Sequence, residues 1–450
     1  MKKRGRNSMV RKMTEGSPFK AIALFAIPMF IGTVFQQVYT MVDSVVVGNY
    51  VSANALGALG ICGGIFSLIT SLLTGLSSGS GVVLAQFFGA RKDEDVRQTF
   101  ISTCIVSVLA GILLTIVGIL LARPLLLLLN TPDQQIADAT TYLTILCAGL
   151  LANCLYNGIS AVLRSLGDSV TPLVVLIVAS LLNVGLDLVF VIVVPWGVAG
   201  VAIATVLSQL LSAIACIIYT MVRLPQLRFK LTELRPKRDI VREILRIGIP
   251  SAVTMSGVSI SVMFMQRAIN SFGETVVTGY TVGNRAEQIG LCLSISIGLA
   301  VATFCGQNIG AKQFDRVKQG IRIGVIVTLI YNIVVAGVML LFTPAIARLF
   351  TDDEAVLEVA SEVMYVTLPF APILGLIFVF REFLKSAGDV APTVVMSITE
   401  IIGRSVLAFL FAALWGYTGI WWVTPVGWVA SLIIGVVRYR SGIWRRKILE

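Results

Sequence analysis

The chain contains no histidine. That removes the commonest general base and metal ligand, and most enzyme chemistries lose their first candidate. Charge is scarce as well: Asp, Glu, Lys and Arg make up 13% of the residues, about half the share of an ordinary soluble domain. The seven cysteines (62, 104, 147, 154, 216, 292 and 305) form no CxxC and no paired spacing, so they read as free apolar thiols. No stretch alternates polar and apolar residues as a membrane barrel strand would. No small-residue cleavage site follows the basic N-terminus, and the first apolar run is too long for a signal peptide, so it reads as a retained span.

Apolar length is what the chain does have. Hydrophobic residues are 56% of the total, gathered in runs long enough to cross a hydrocarbon core of roughly 30 Å. Twelve are expected, at about 21–47, 55–86, 98–122, 137–163, 170–194, 198–222, 241–270, 276–306, 320–345, 357–384, 390–414 and 418–438. Helices are the fitting element, since isolated strands leave backbone groups unsatisfied in lipid. The net charge of +11 is topological: with the N-terminal arm numbered inside, inner connections hold 30 of the 35 Lys and Arg residues. This positive-inside pattern puts both termini in the cytoplasm and argues against a nucleic-acid partner.

The two halves repeat one another. Ile27-Pro28 returns as Ile249-Pro250, and Gln86-Phe-Phe-Gly-Ala-Arg91 as Gln307-Asn-Ile-Gly-Ala-Lys312. Arg164-Ser-Leu-Gly-Asp168 returns as Lys385-Ser-Ala-Gly-Asp389, and Trp196-Gly197-Val-Ala-Gly200 as Trp415-Gly416-Tyr-Thr-Gly419. The offsets stay between 219 and 222. Six spans per half is even, so both halves enter the membrane the same way up. The expected fold is all-α and polytopic, with two six-helix lobes related by a pseudo-twofold axis along the membrane normal. Its parts are a basic arm (1–20), an N-lobe (21–222), a linker (223–240), a C-lobe (241–440) and a tail (441–450). Gly89 and Gly310 are expected to end their helices in the left-handed conformation, with Arg91 and Lys312 favouring the C-terminal dipole. A duplicated membrane chain of this kind reads as a transporter working by alternating access, with a duplicated channel or a purely structural bundle as the rival.

Ionisable groups within a bilayer are costly, which makes those present functional candidates. Span one carries Gln36, Tyr39, Thr40 and Asp43 on one helical face. Span five carries Asn183 and Asp187, span four Asn153 and Asn157, and span six Thr205. At 1.5 Å per residue, Asp43, Asp187 and Thr205 fall in the outer half of the first lobe. Two carboxylates, an amide oxygen and a hydroxyl at one depth suit a hard cation. Two neighbouring carboxylates suit a proton equally well. The plainer readings are an interfacial charge for Asp43, an interfacial ring for Tyr39 and a hydroxyl satisfied within its own helix for Thr205.

The second lobe does not repeat this stripe: Val258, Ser261 and Met265 stand where Gln36, Tyr39 and Asp43 would. Its own candidates are Glu287, beside Arg285, and Glu400, four residues before Arg404. These form local ion pairs or present a substrate-facing acid. Met255, with Met263, Phe264 and Met265, either lines a soft cavity or packs in core or lipid.

Taken together, the spans, the Ile-Pro openings and the Gly-Ala-basic and Gly-Asp turns resemble the multidrug and toxic compound extrusion (MATE) family. Gln36, Tyr39, Asp43, Asn183, Asp187 and Thr205 are similar to the first-lobe cation site of its DinF-like branch. The NorM-like branch also has acids in spans seven and ten, which are missing here from 244–270 and 366–380. The resemblance implies a bacterial-type plasma-membrane antiporter of organic, cationic compounds and no enzyme activity. Asp43 and Asp187 would bind the coupling proton or sodium ion, with Asn183 and Thr205 as companion ligands. Gln36, Tyr39, Asn153, Asn157, Met255 and Glu287 would face substrate. No cofactor is expected beyond sodium, should that be the coupling ion, and a monomer is expected. The alternative is a lipid-linked oligosaccharide flippase of the same superfamily, although such a protein calls for cations, not aspartates, in its first-lobe cavity.

Overall fold

The computed structural model describes residues 11–51, 53–129, 131–230, 233 and 235–445; the side chains at 39–45, 48, 49, 53, 54 and 56 lie outside that description. Among the described residues there is no strand. The first seven helices are α1 (Pro18–Tyr50), α2 (Ala53–Gly89), α3 (Asp93–Leu128), α4 (Asp133–Ala148), α5 (Leu150–Ser165), α6 (Val170–Leu188) and α7 (Gly197–Arg223). After them come α8 (Arg238–Asn270), α9 (Glu274–Gly310), α10 (Phe314–Leu341), α11 (Thr343–Arg348), α12 (Glu354–Thr367), α13 (Ala371–Ser386), α14 (Val390–Ile402), α15 (Ala408–Trp415) and α16 (Tyr417–Arg440). Five-residue π-helical turns follow α6 at Val189–Val193 and α14 at Gly403–Leu407.

Among the described residues eleven segments are long and apolar enough to cross a membrane, and α4 with α5 makes a twelfth if that pair, bent by 46°, is one span. The apolar residues that remain exposed, such as Leu120, Leu181, Ile330 and Val437, suit contact with lipid tails in place of a second protein layer.

The chain divides into two compact units. One holds Ile31–Ala252, and the other holds Met13–Phe30 with the chain from Val253 onward. Thus the first half of α1 and the first half of α8 each pack away from the remainder of their own repeat, where the sequence draws its lobe boundaries at 21–222 and 241–440. In the first unit, Gly75 and Gly79 of α2 lie so close to the α8 backbone at Ala252 and Ile244 that a methyl group on either would collide with it. In the second unit, Ile22, Phe25 and Ala26 of α1 join a core with Ile297, Phe304, Ile377, Phe383 and Trp428.

The duplicated turns are built alike. Beyond α5, Asp168 N–H donates to the Leu163 carbonyl and Gly167 N–H to that of Arg164. Beyond α13, Asp389 and Gly388 do the same to Leu384 and Lys385. Each glycine has positive φ, 84° and 73°, as the helix-ending 6→1 motif requires. The Gly-Ala-basic turns use that motif differently from expectation. Gly89 and Gly310 stay helical, and the left-handed residues are Arg91 and Lys312, each at φ 58°. Lys92 N–H and Gln313 N–H supply the 6→1 bonds, to Phe87 and Asn308. The physical reason is position: the motif places its left-handed residue two after the last helical turn closes, and that slot falls on the cation.

Candidate functional site

α6 is polar inside and apolar outside. Its buried residues are Thr171, Pro172, Ser180, Asn183 and Asp187, while Val174, Val178, Leu181 and Leu188 are exposed. Ser180, Asn183 and Asp187 share one face at spacings of three, four and seven. Asn183 and Asp187 are among the least accessible side chains of the unit, at 1% and 0% exposure. Burying a carboxylate and an amide costs several kcal/mol unless they find partners. A helix that turns these groups inward, with its leucines and valines outward, is therefore organised for something polar. The π-helical turn begins two residues after Asp187, a local irregularity of a kind frequent at functional sites.

Three helices converge on this level. Val46 and Val47 of α1 pack with Val191 in the π-helical turn and with Val198 and Val201 of α7. Val47 is one turn beyond position 43, Val191 one turn beyond Asp187, and Val201 one turn before Thr205. The helix backbones at these three positions therefore meet within a turn of one shared apolar cluster. Gly32 of α1 also lies against Leu173 and Leu176, so α1 runs beside α6. The side chains of Tyr39 and Asp43 lie outside the described residues. Gln36, one turn further back on α1, is exposed.

Thr205 is buried, and its hydroxyl donates to the Val201 carbonyl of its own helix at 3.0 Å. That leaves its oxygen lone pairs as acceptors. Ser208, one turn along α7, is also buried, and its Oγ has no hydrogen-bond partner among the described residues. Sequence reading missed Ser180 and Ser208, although their spacing of three from Asn183 and Thr205 was the available signal. Asp187, Asn183 and Thr205 offer carboxylate, amide and hydroxyl oxygens, a donor set suited to a hard cation or a proton. Among the described residues no group of three His, Cys, Asp or Glu side chains gathers.

Asn153 and Asn157 bond to one another: the Asn157 amide donates to the Asn153 side-chain oxygen at 2.7 Å and to its carbonyl at 2.9 Å. In the second unit Met255 is exposed on α8 and Glu287 is buried on α9. Arg285 and Glu287 form no ion pair, being two residues apart and so on different sides of the helix. Nor does Glu400 pair with Arg404. It pairs with Arg381 of α13 and accepts from Ser431 Oγ of α16 at 2.8 Å. The π-helical turn starting at Gly403 explains the change, since its wider winding carries Arg404 off the Glu400 face.

The shared Gly-Asp turn also diverges in its partners. Asp168 accepts from the N–H groups of Val170 and Thr171, at 3.2 and 2.9 Å, and so caps α6. Asp389 is instead held by Arg438 through Nε and a terminal nitrogen, at 2.6 and 3.1 Å.

A family model described as MatE matches residues 28–189 and 250–410. The probable multidrug resistance protein YpnP of Bacillus subtilis is 30% identical over 435 residues, which is 96% of this chain and 97% of the relative. YoeA of the same organism, also a probable multidrug resistance protein, is 28% identical over 452 residues, covering 98% and 97%. Among solved structures, a MOP superfamily transporter from Pyrococcus furiosus superposes with a TM-score of 0.91 at 23% identity, over 99% of this chain and 100% of its own. The outward-facing form of a multidrug resistance MATE family transporter gives 0.91 at 24% identity, over 97% and 98%.

Proposed function

The chain belongs to the MatE family, and from that premise we propose that it is a cation-coupled multidrug exporter of the bacterial plasma membrane. The observation that carries the proposal is the inward-facing polar side of α6, with Asn183 and Asp187 fully buried in a helix whose apolar residues face outward. The names of the Bacillus relatives support drug efflux as the direction and class of transport. The 30 basic residues in the alternately numbered inner connections support cytoplasmic termini.

In this reading a proton or sodium ion entering from outside binds at Asp187 and Asp43, with Asn183 and Thr205 supplying neutral oxygens. A buried carboxylate requires a counter-charge, so the ion and an organic cation compete for the same charge compensation. Arrival of the ion releases the drug outward, and the ion-loaded site then turns inward, where the ion dissociates and the next drug molecule binds. One net charge crossing 100 mV yields about 2.3 kcal/mol, available when the exported molecule is neutral or when more than one ion enters per cation. A one-for-one exchange of monovalent cations draws only on the ion's own gradient, about 1.4 kcal/mol per tenfold. A tenfold uphill substrate gradient requires about 1.4 kcal/mol.

Efflux of a fluorescent organic cation from vesicles holding wild type, Asp43→Asn or Asp187→Asn tests the site. Both variants should load into the membrane normally and export at background rate. Normal export by both, at equal expression, would sink the assignment. Repeating wild type with a sodium gradient, and then with a proton gradient alone, identifies the coupling ion.

A further inference from the structure

Arg238, Val241, Arg242 and Leu245 stand three, four and seven positions apart at the start of α8, and so occupy one face of it. With Asp239 they line an open depression of about 760 Å³ in the first unit. Both arginines are exposed, and neither has an acidic partner among the described residues. Two neighbouring cations are already engaged: Lys237 holds Asp95 at 3.0 Å, and Arg246 holds Glu243 at 3.2 Å. Asp239 stands at the rim and bonds to neither guanidinium, so the depression keeps an excess of positive charge.

Beyond the arginines the same face turns apolar. Val241 and Leu245 are half-buried, and Ile249, four residues on, is 52% exposed. From Arg238 to Ile249 the strip runs about 16 Å along the helix. Two free cations at one end of an aliphatic strip match one chemistry closely: an anionic phosphate carrying a long acyl chain. We propose that this face of α8 is a binding site for an acidic phospholipid. Its phosphate lies between Arg238 and Arg242, and an acyl chain follows Val241, Leu245 and Ile249. An organic cation would be repelled by the guanidiniums, and a nucleic acid would leave the aliphatic strip unused. The site rests on the reading that this basic end lies at the headgroup level of the inner leaflet, where anionic lipid is attracted to basic residues.

The test is lipid binding to the purified full-length protein in detergent, read by native mass spectrometry during titration with phosphatidylglycerol or phosphatidylcholine. Wild type should prefer phosphatidylglycerol. Arg238→Gln with Arg242→Gln should weaken that lipid by about thirtyfold, roughly fivefold per charge, and leave phosphatidylcholine unchanged. A control pair, Arg322→Gln with Arg440→Gln, removes two exposed cations of the second unit and should change neither affinity. If the double variant does not fold, each single variant carries the test at about fivefold. Millimolar glycerol phosphate, a headgroup without chains, should not displace the lipid. The proposal is overturned by wild-type phosphatidylglycerol affinity in the Arg238/Arg242 variants, by equal loss in the control pair, or by displacement with glycerol phosphate. Because nothing is transported in the assay, its failure leaves the exporter reading standing, and loss of efflux in the Asp187 variant leaves this site standing.

Discussion

Arg316 donates a hydrogen bond of 3.1 Å to the main-chain carbonyl of Met13, across 303 positions of chain. A second guanidinium nitrogen takes the Gly16 carbonyl at 2.9 Å, Asn308 Nδ2 also donates to Met13, and Met13 N–H donates to Gln307 Oε1 at 2.8 Å. The segment ahead of α1 is thus held by its backbone, with the Met13 side chain buried in the core of the second unit. Arg316→Ala should lower the unfolding free energy by about 2 kcal/mol, as expected for lost bonds to a charged donor. It should also speed tryptic cleavage after Lys12. A fragment time course reads the second effect directly, and an unchanged rate would mean that the segment is anchored elsewhere.

Thr205 separates oxygen chemistry from shape. Its hydroxyl proton is committed to Val201, so only its oxygen lone pairs are available to an ion. Thr205→Ser should transport with near wild-type ion dependence. Thr205→Val, of similar volume, should raise the half-saturating concentration of the coupling ion about fivefold, corresponding to about 1 kcal/mol for one polar contact. Equal ion dependence in the two variants would remove Thr205 from the site.

Glu233 makes the docking of the linker pH-dependent. The Lys230 main-chain N–H, donating at 3.0 Å, and the Arg97 guanidinium hold its carboxyl below the ordinary range. A depressed folded-state value means that the contact contributes fully above the ordinary glutamate range. It is lost as pH falls through the lowered value. Cleavage at Lys230 by an acid-tolerant lysine-specific protease should rise toward acidic pH in wild type and be high and flat in Glu233→Gln. The carboxyl is well exposed, so high salt should shrink the difference.

Glu400 is buried and pairs with the partly buried Arg381, so removing the arginine strands a buried carboxylate. Arg381→Met should destabilise by roughly 3–5 kcal/mol and Glu400→Met by less, whereas the two combined should cost far less than their sum. Thermal unfolding of the four species in a mutant cycle measures the coupling. Additive single effects would show that the pair is not a unit.

What could be read from the sequence follows from how local each signal is. Span lengths and repeated turns depend on runs of neighbouring residues, so the helices and the Gly167 and Gly388 turns were legible. Asn183 and Asp187 stood out because polar groups are rare in such company. The left-handed Arg91 and Lys312 were not legible, since Gly89 and Gly310 are the better conformers for that geometry and the helix simply runs further. The Arg381–Glu400 pair spans 19 positions and depends on a π-helical turn that no spacing rule announces. Ser180 and Ser208 were overlooked because serine is common in membrane helices, so their spacing of three from Asn183 and Thr205 gains weight only once their burial is known.

Because Met13–Phe30 joins the second unit and the first half of α8 joins the first, neither repeat is self-sufficient. A gene cut within the linker would encode two polypeptides, each lacking a half-helix that covers its own core and carrying one that belongs to the other. Expressed singly, both should be cleared by proteolysis. Expressed together, they should rescue one another only by trading those ends. Each half of the repeat thus carries an end that completes the other's unit, which makes the two halves mutually obligate.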